Sequence, residues 1–444
     1  MSDHALPDTL PGWLARLEAA HPVGIDLGLE RVAEVARRMG LLEEPLAPRI
    51  ITVAGTNGKG STVAMIEALA LAHGLSTAAY TSPHLLRYNE RLRLDGRQAD
   101  DATLIAGFEA VESARLVGEP ISLTYFEVGT LGALRAIALS RPALAILEVG
   151  LGGRLDAVNI IDPDVAVITT VAHDHAAFLG TDLEGIGREK AGILRPRRPA
   201  VLGSTRLPSS VRAVADQQGA RVVALGEAFL CQGEGEGWRW SGQDGGGLAI
   251  DLDGLPDPGL PLDNAASALQ ALALVDVALE EGACRRALST VRLPGRMQWR
   301  GQWCLDVGHN PHAAAYLARG IAARPCSGRT FGLIGMLGDK DADGVIAALA
   351  PVVDAWVPVS LGGARPRGAD DLAHRLALQD AQVWCRGDSP AEAAAWLSAR
   401  LEPEDRVLVC GSFLTVAAVL EWQLAAEQAS DQTAEEATRI EGAR

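Results

Sequence analysis

Residues 51–70 read ITVAGTNGKGSTVAMIEALA, and the fold turns on this stretch. An apolar run ending in glycine, a lysine between two glycines, a Ser–Thr pair and then a helical pattern is the order strand, phosphate-binding turn, helix. In such a turn backbone N–H groups at the helix start face the anion and a lysine adds a point charge. Thr56, Asn57, Gly58, Lys59 and Gly60 supply this cradle. The usual P-loop spacing sets the hydroxyl directly after the lysine. Here Gly60 intervenes before Ser61, so Ser61 need not reach a metal ion and metal ligands are expected elsewhere.

Outward from this segment, strand-like and helix-like patterns alternate, which predicts an α/β fold with a mostly parallel sheet. Ile50–Ala54 reads as a buried strand feeding a helix over 60–72, and further strands are expected at 143–149, 165–171 and 200–203. The Gly-rich segment 233–252 alternates in polarity and reads as a peripheral hairpin, and 263–290 as two helices. A chain of 444 residues exceeds the roughly 250 to 300 that one core organises. The expected division is a P-loop domain over 1–295, a smaller Rossmann-like α/β domain over 296–426 beginning at LPGR, and an acidic, polar tail or frayed helix over 427–444. The smaller domain has strand patterns near 302–306, 329–335, 353–358 and 405–410.

Composition narrows the partners. A formal net charge of −16 argues against nucleic acid or an anionic membrane as the main partner. The N-terminus has no basic-then-apolar pattern, and no run approaches the ~18 apolar residues of a membrane span. Six cysteines without a C-x-x-C pair read as reduced thiols of a cytoplasmic protein. Of 40 basic residues only Lys59, Lys190 and Lys340 are lysines. That bias suggests chemistry a guanidinium cannot perform.

Ligand groups stand at strand ends, where doubly wound sheets bind. Glu148 closes an apolar strand and is followed by a Gly-rich turn and Asp156, while His173, Asp174 and His175 follow another strand. A carboxylate and a neutral imidazole beside a nucleotide suit Mg²⁺ shared with phosphate oxygens.

The segments GTNGKGST, TSPHLLRYNERLRLDG, TYFEVGTLGAL, LEVGLGGRLDAVN, DHAAFLG, REKAGIL, LPGR, DVGHNPHA and GMLGDKD occur in order across 55–341. Together they resemble the bacterial dihydrofolate synthase/folylpolyglutamate synthase family of the Mur ligase superfamily, in which a glycine follows the P-loop lysine. The resemblance implies an ATP-dependent amide ligase with ATP between its domains. In it a pterin carboxylate (dihydropteroate or tetrahydrofolate) is phosphorylated and L-glutamate's amine attacks the acyl phosphate. It further implies that Thr56 to Lys59 hold the phosphates, that Ser82 and Glu148 bind one Mg²⁺ and His175 a second, and that Asn264, Arg296, Asp306 and nearby His309 contact ATP. Lys190 matches the family's carbamylated lysine (N6-carboxylysine). Asp26 and Leu27, Thr124 to Glu127 (Thr124, Tyr125, Phe126, Glu127) and Leu155 to Ala157 (Leu155, Asp156, Ala157) match its dihydropteroate contacts. Physically, Phe126 offers a stacking face and Asp156 an acceptor for paired N–H donors. The expected working form is a monomer. His173 departs from the family pattern, where an apolar residue is usual, and Gly308 stands where alanine is usual.

Other readings are a monofunctional folylpolyglutamate synthase, a Mur-type ligase acting on a cell-wall nucleotide, and a nucleotide switch. The switch calls for a guanine-reading N-K-x-D, which three lysines at 59, 190 and 340 do not provide. The TYFE and LGGRLDA segments count against the cell-wall ligase.

Overall fold

The computed structural model describes residues 6–20, 26–234, 237–363 and 367–441. Two compact units divide at Arg292/Leu293.

The first unit is built on eight strands: β1 (Ile50–Ala54), β2 (Thr77–Tyr80), β3 (Leu92–Leu94), β4 (Arg97–Gln98), β5 (Leu144–Glu148), β6 (Val165–Ile168), β7 (Pro199–Leu202) and β8 (Arg221–Ala224). Their order is β4-β3-β2-β5-β1-β6-β7-β8. β2 and β5 through β8 run parallel with β1, and β3 and β4 form an antiparallel edge. β1 is central and every residue in it is buried, as expected of a strand covered on both faces. On one face Ile50, Ala78, Tyr80, Ala145 and Leu147 pack with helices Leu10–Ala20, Glu30–Arg38, Asp101–Arg115 and Tyr125–Ser140. The P-loop helix, Lys59–Ala72, packs against the helix Leu262–Leu274. In the latter every residue from Asn264 onward is buried, as in a helix enclosed by the core.

The register aligns the site. Val53 pairs with Glu148, Ala54 with Ile168 and Tyr80 with Leu147. Four adjacent parallel strands, β2, β5, β1 and β6, therefore end on one line.

The segment expected as a hairpin is larger. β9 (Leu230–Glu234), β10 (Gly237–Gln243) and β11 (Ala249–Leu255) form a three-stranded antiparallel sheet. Alternation along β10 buries Trp238 and Trp240, which is what a third strand with one covered face accomplishes.

The second unit has a five-stranded sheet ordered β12-β13-β16-β14-β15: β12 (Gln298–Arg300), β13 (Trp303–Leu305), β14 (Thr330–Ile334), β15 (Ala355–Pro358) and β16 (Arg406–Cys410). β12 is its antiparallel edge and the rest are parallel. One helix, Phe413–Glu441, runs on through most of the segment whose composition reads as a tail. Among the described residues no helix is long and apolar enough to cross a membrane.

Candidate active site

The P-loop follows β1 and is fixed by the segment just after β6. Thr56 N donates to Thr170 O at 2.7 Å, and Thr56 Oγ1 donates to Ala172 O at 3.1 Å and accepts from Ala172 N at 3.0 Å. Gly58 has φ +87°, a left-handed conformation that suits glycine. It immediately precedes the helix start at Lys59. The Lys59 amine folds onto its own loop, donating to Gly55 O at 3.1 Å and Thr56 O at 3.4 Å. Ser61 is engaged otherwise: its hydroxyl donates to Gly58 O at 3.0 Å and accepts from Asn264 Nδ2 at 2.8 Å. Gly60 starts the helix with Lys59. Asn264 is buried and lies against Gly58, where a Cβ would meet its Nδ2 at 2.7 Å.

Glu148, at the end of β5, is 4% exposed. Its Oε2 accepts from the backbone N–H of Ser82 at 3.2 Å, so the ends of β2 and β5 join. Beyond β6, His175 sits with φ +51° at the start of the short helix Ala176–Leu179. Asp174 Oδ1 accepts from His175 N at 2.8 Å, while the neighbouring His173 is exposed. Among the described residues no three His, Cys, Asp or Glu side chains gather to hold an ion by themselves.

The Gly-rich turn after β5 brings two titratable groups into the neutral range. Lys190, in the helix Leu183–Ala191, is 3% exposed. Burial, then the charge of Lys59, lowers its amine to about 7 against the attraction of Asp174 and Asp156. It is therefore not a surface lysine paired to Glu189 or Glu184. Glu189 pairs with Arg154 at 2.8 Å and Glu184 accepts from Ser210 N at 2.7 Å. Gly153 permits the approach, since a Cβ there would stand 2.7 Å from Glu189 O and 2.9 Å from Lys190 O. Asp156 is 2% exposed. Burial raises it to about 6, opposed by bonds from Leu151 N at 2.8 Å and Val158 N at 3.0 Å and by the charge of Lys59.

Thr124 and Glu127 form a capping box for the helix Tyr125–Ser140. Thr124 N donates to Glu127 Oε2 at 2.7 Å, and Arg31 reaches Glu127 Oε1 at 2.9 Å and Asp26 Oδ2 at 2.7 Å. Asp26 caps no helix, because the following one starts at Glu30 with Leu29 at its cap. Leu27 lies in that loop, Leu155 is half-buried and Ala157 buried in the turn. Phe126 is half-buried, 6.4 Å from the Tyr80 ring. Sequence reasoning missed Arg31, and also Arg91, whose guanidinium lies 5.0 Å from the Tyr88 ring and 5.6 Å from the Tyr125 ring while Nε donates to His84 Nδ1 at 2.9 Å.

In the second unit, Asp306 follows β13 and accepts from Met297 N at 2.9 Å and Gly308 N at 2.7 Å. Burial raises its pKa, and the charges of Arg296 and His309 oppose this. Arg296 lies 5.1 Å from the Phe413 ring, and His309 Nδ1 is 2.9 Å from Val307 O. Phe413 was not foreseen. Lys340 is buried, its amine 3.7 Å from Asp339.

A phosphate loop, strand-end acidic and imidazole groups and a second α/β unit define a Mur-type ligase. The Mur ligase middle domain family matches residues 53–228, and the Mur ligase, glutamate ligase domain family matches 295–413. The chain is 45% identical over 415 residues to the Escherichia coli (strain K12) dihydrofolate synthase/folylpolyglutamate synthase, covering 93% of this chain and 95% of that one. The structure of E. coli FolC in complex with DHPP and ADP superposes with a TM-score of 0.89 at 44% identity, covering 94% of this chain and 98% of that one. The bifunctional enzyme from Yersinia pestis complexed with AMPPNP and Mn ion matches with a TM-score of 0.85 at 44% identity over 93% of this chain and 97% of that one. This chain belongs to the dihydrofolate synthase/folylpolyglutamate synthase family, a family of ATP-dependent amide-forming ligases.

Proposed function

We propose that this chain joins L-glutamate to dihydropteroate, forming dihydrofolate, and to tetrahydrofolate, extending its glutamate tail. The reading is carried by the alignment of four strand ends that brings Ser82, Glu148, the P-loop and the Thr169–His175 connection to one edge. In each reaction a pterin carboxylate oxygen attacks the γ-phosphorus and ADP leaves. The glutamate amine then attacks the acyl carbon, phosphate leaves and the amine gives up a proton. Two anions must meet in the first step, so positioned positive charge supplies most of the catalysis. We assign this role to Lys59 in the first unit and to Arg296 in the second.

Thr56 to Ser61 and Asn264 form the first unit's contribution to ATP binding, and Arg296, Asp306 and His309 the second unit's. The donor set fits Mg²⁺: the Ser82 hydroxyl and Glu148 carboxylate are hard oxygen ligands, too few alone, as suits an ion completed by phosphate and water. We assign one ion to Ser82 with Glu148 and a second to His175. Bound, they neutralise phosphate charge. Lys190 is suited to carbamylation, because an amine lowered to about 7 is substantially neutral at physiological pH. Its nitrogen bonds to the carbon of CO₂, a proton leaves, and the resulting carboxylate can orient His175 or the second ion. Phe126 supplies a face for the pterin and Asp156 an acceptor for its N–H groups. Asp26, Leu27, Thr124, Tyr125, Glu127, Leu155 and Ala157 shape that pocket, with the side chains of Thr124 and Glu127 acting through the helix cap. We take the working form to be a monomer acting on small molecules in the cytoplasm.

The test is coupled turnover. With Mg²⁺ and ATP, purified protein should release ADP only when L-glutamate and a pterin carboxylate are both present, with dihydropteroate and tetrahydrofolate each accepted. Turnover with tetrahydrofolate alone would reduce the reading to a monofunctional synthase. Turnover only with a cell-wall nucleotide precursor would overturn it.

A further inference from the structure

We propose that Thr170, with Thr169 behind it, is a positioning residue that aims the Gly58 N–H at the phosphates of the bound nucleotide. The proposal rests on the nucleotide-binding reading of the P-loop and extends it to two threonines outside the loop.

The Thr170 hydroxyl accepts from Asn57 N at 3.0 Å and donates to Asn57 O at 3.0 Å. Thr169 Oγ1, fully buried, lies 2.7 Å from the same Asn57 O and 3.2 Å from Ala54 O. Both backbone polar groups of Asn57 are thus turned toward the end of β6. In a trans peptide a carbonyl and the N–H of the next residue point to opposite sides of the chain. Holding Asn57 C=O against the threonines therefore turns the Gly58 N–H the other way. That N–H has no hydrogen-bond acceptor among the described residues, and Gly58 at φ +87° leads straight into the first turn of the helix at Lys59. There the N–H groups also lack carbonyls four residues back. Successive N–H groups around a left-handed residue form an anion-binding concavity, and its first donor is aimed by side chains just beyond the end of β6. The Asn264 side chain packs against Gly58.

The same connection carries His175. Thr56 is stitched to Thr170 and Ala172, so the phosphate loop and the His175 loop share one framework. A hydroxyl is needed at 170 because it both accepts and donates there, and valine has the same shape with neither capacity.

Direct binding and kinetics test this. Thr170→Val should weaken ADP binding and raise KM for ATP by about tenfold, the effect of losing positioned hydrogen bonds, while dihydropteroate affinity stays as in the parent. Thr170→Ser should recover ADP binding. If Thr170→Val folds poorly by circular dichroism, Thr170→Ala, at this half-buried position, gives the same comparison against Thr170→Ser. Unchanged ADP affinity in folded Thr170→Val or Thr170→Ala, or a lowered melting temperature as its only effect, would overturn the proposal. Lys59→Ala separates the premises. Loss of ADP binding there, with none in Thr170→Val, refutes the threonine role alone. Full ADP binding by Lys59→Ala refutes the nucleotide-binding reading and the proposal with it.

Discussion

The phosphate loop and the surroundings of Lys190 lie in the same unit and are held by opposite means. At the loop, threonine hydroxyls and backbone groups set the geometry, and the lysine amine rests on carbonyls of its own turn. Around Lys190, burial does the work: an amine is lowered to about 7 and a carboxyl raised to about 6 in one electrostatic neighbourhood. Hydrogen-bonded preorganisation costs little to hold ready, whereas buried charge is held at the expense of stability. The two regions are also linked, since the charge of Lys59 lowers both Lys190 and Asp156. A change of charge at the phosphate loop is therefore felt at Lys190 and Asp156.

The largest effect expected from breaking this arrangement is at the loop. Lys59→Ala should fold like the parent and lose ligation by about 10²-fold or more, the scale of one preorganised charge. Steady-state rates with either pterin check this, and near-parental turnover would remove the loop from the mechanism. Next comes Lys190→Arg, which keeps a positive charge and forfeits carbamate chemistry. Activity should drop steeply and recover in part with added small carboxylic acids, and intact-mass analysis of the parent should show one added CO₂. An unmodified, fully active parent would mean that the burial of Lys190 serves something else.

A smaller effect separates the pterin end from the nucleotide end. Phe126→Ala and Asp156→Ala should raise KM for dihydropteroate by about tenfold, in keeping with one lost stacking or charge-assisted contact, and leave KM for ATP nearly unchanged. Equal effects on both would erase the contrast between the regions.

A last effect is on stability, not on turnover. Folded, the Lys190 amine binds its proton with a pKa of about 7, against 10.5 for an ordinary lysine. Between these values the unfolded chain holds more protons, so stability rises with pH. The penalty is full below about pH 7 and gone above about 10.5. In CO₂-free buffer Lys190→Met should therefore be more stable than the parent at pH 6, with the advantage fading as pH rises through that window. A pH-independent difference in denaturation midpoint would contradict the buried-charge account.

What was legible in the sequence was local chemistry. Glycines around Lys59 announce the turn between strand and helix because the whole unit comes from one stretch of chain. Glu148 was readable as the polar ending of an apolar strand and His175 as part of the segment that follows another. The Thr170 bond to Asn57, the Arg31 bridge between Asp26 and Glu127 and the Arg91 stack join residues far apart in sequence, and no spacing rule reaches that far. β2 was missed because TAAY is too short and too weakly apolar to stand out. The strand β9 was missed because its LCQGE sequence lacks alternation and is defined by pairing with β10. The capping box at Thr124 shows another limit: the motif was seen, but its two polar side chains turn out to hold a helix end.

The central claim, ligation through a phosphorylated pterin carboxylate at the P-loop edge, is tested most directly by isotope transfer. With dihydropteroate labelled with ¹⁸O in its carboxylate, each turnover should deliver one labelled oxygen to the released phosphate, and Lys59→Ala should remove that transfer along with the product. Dihydrofolate formed with unlabelled phosphate would contradict the account.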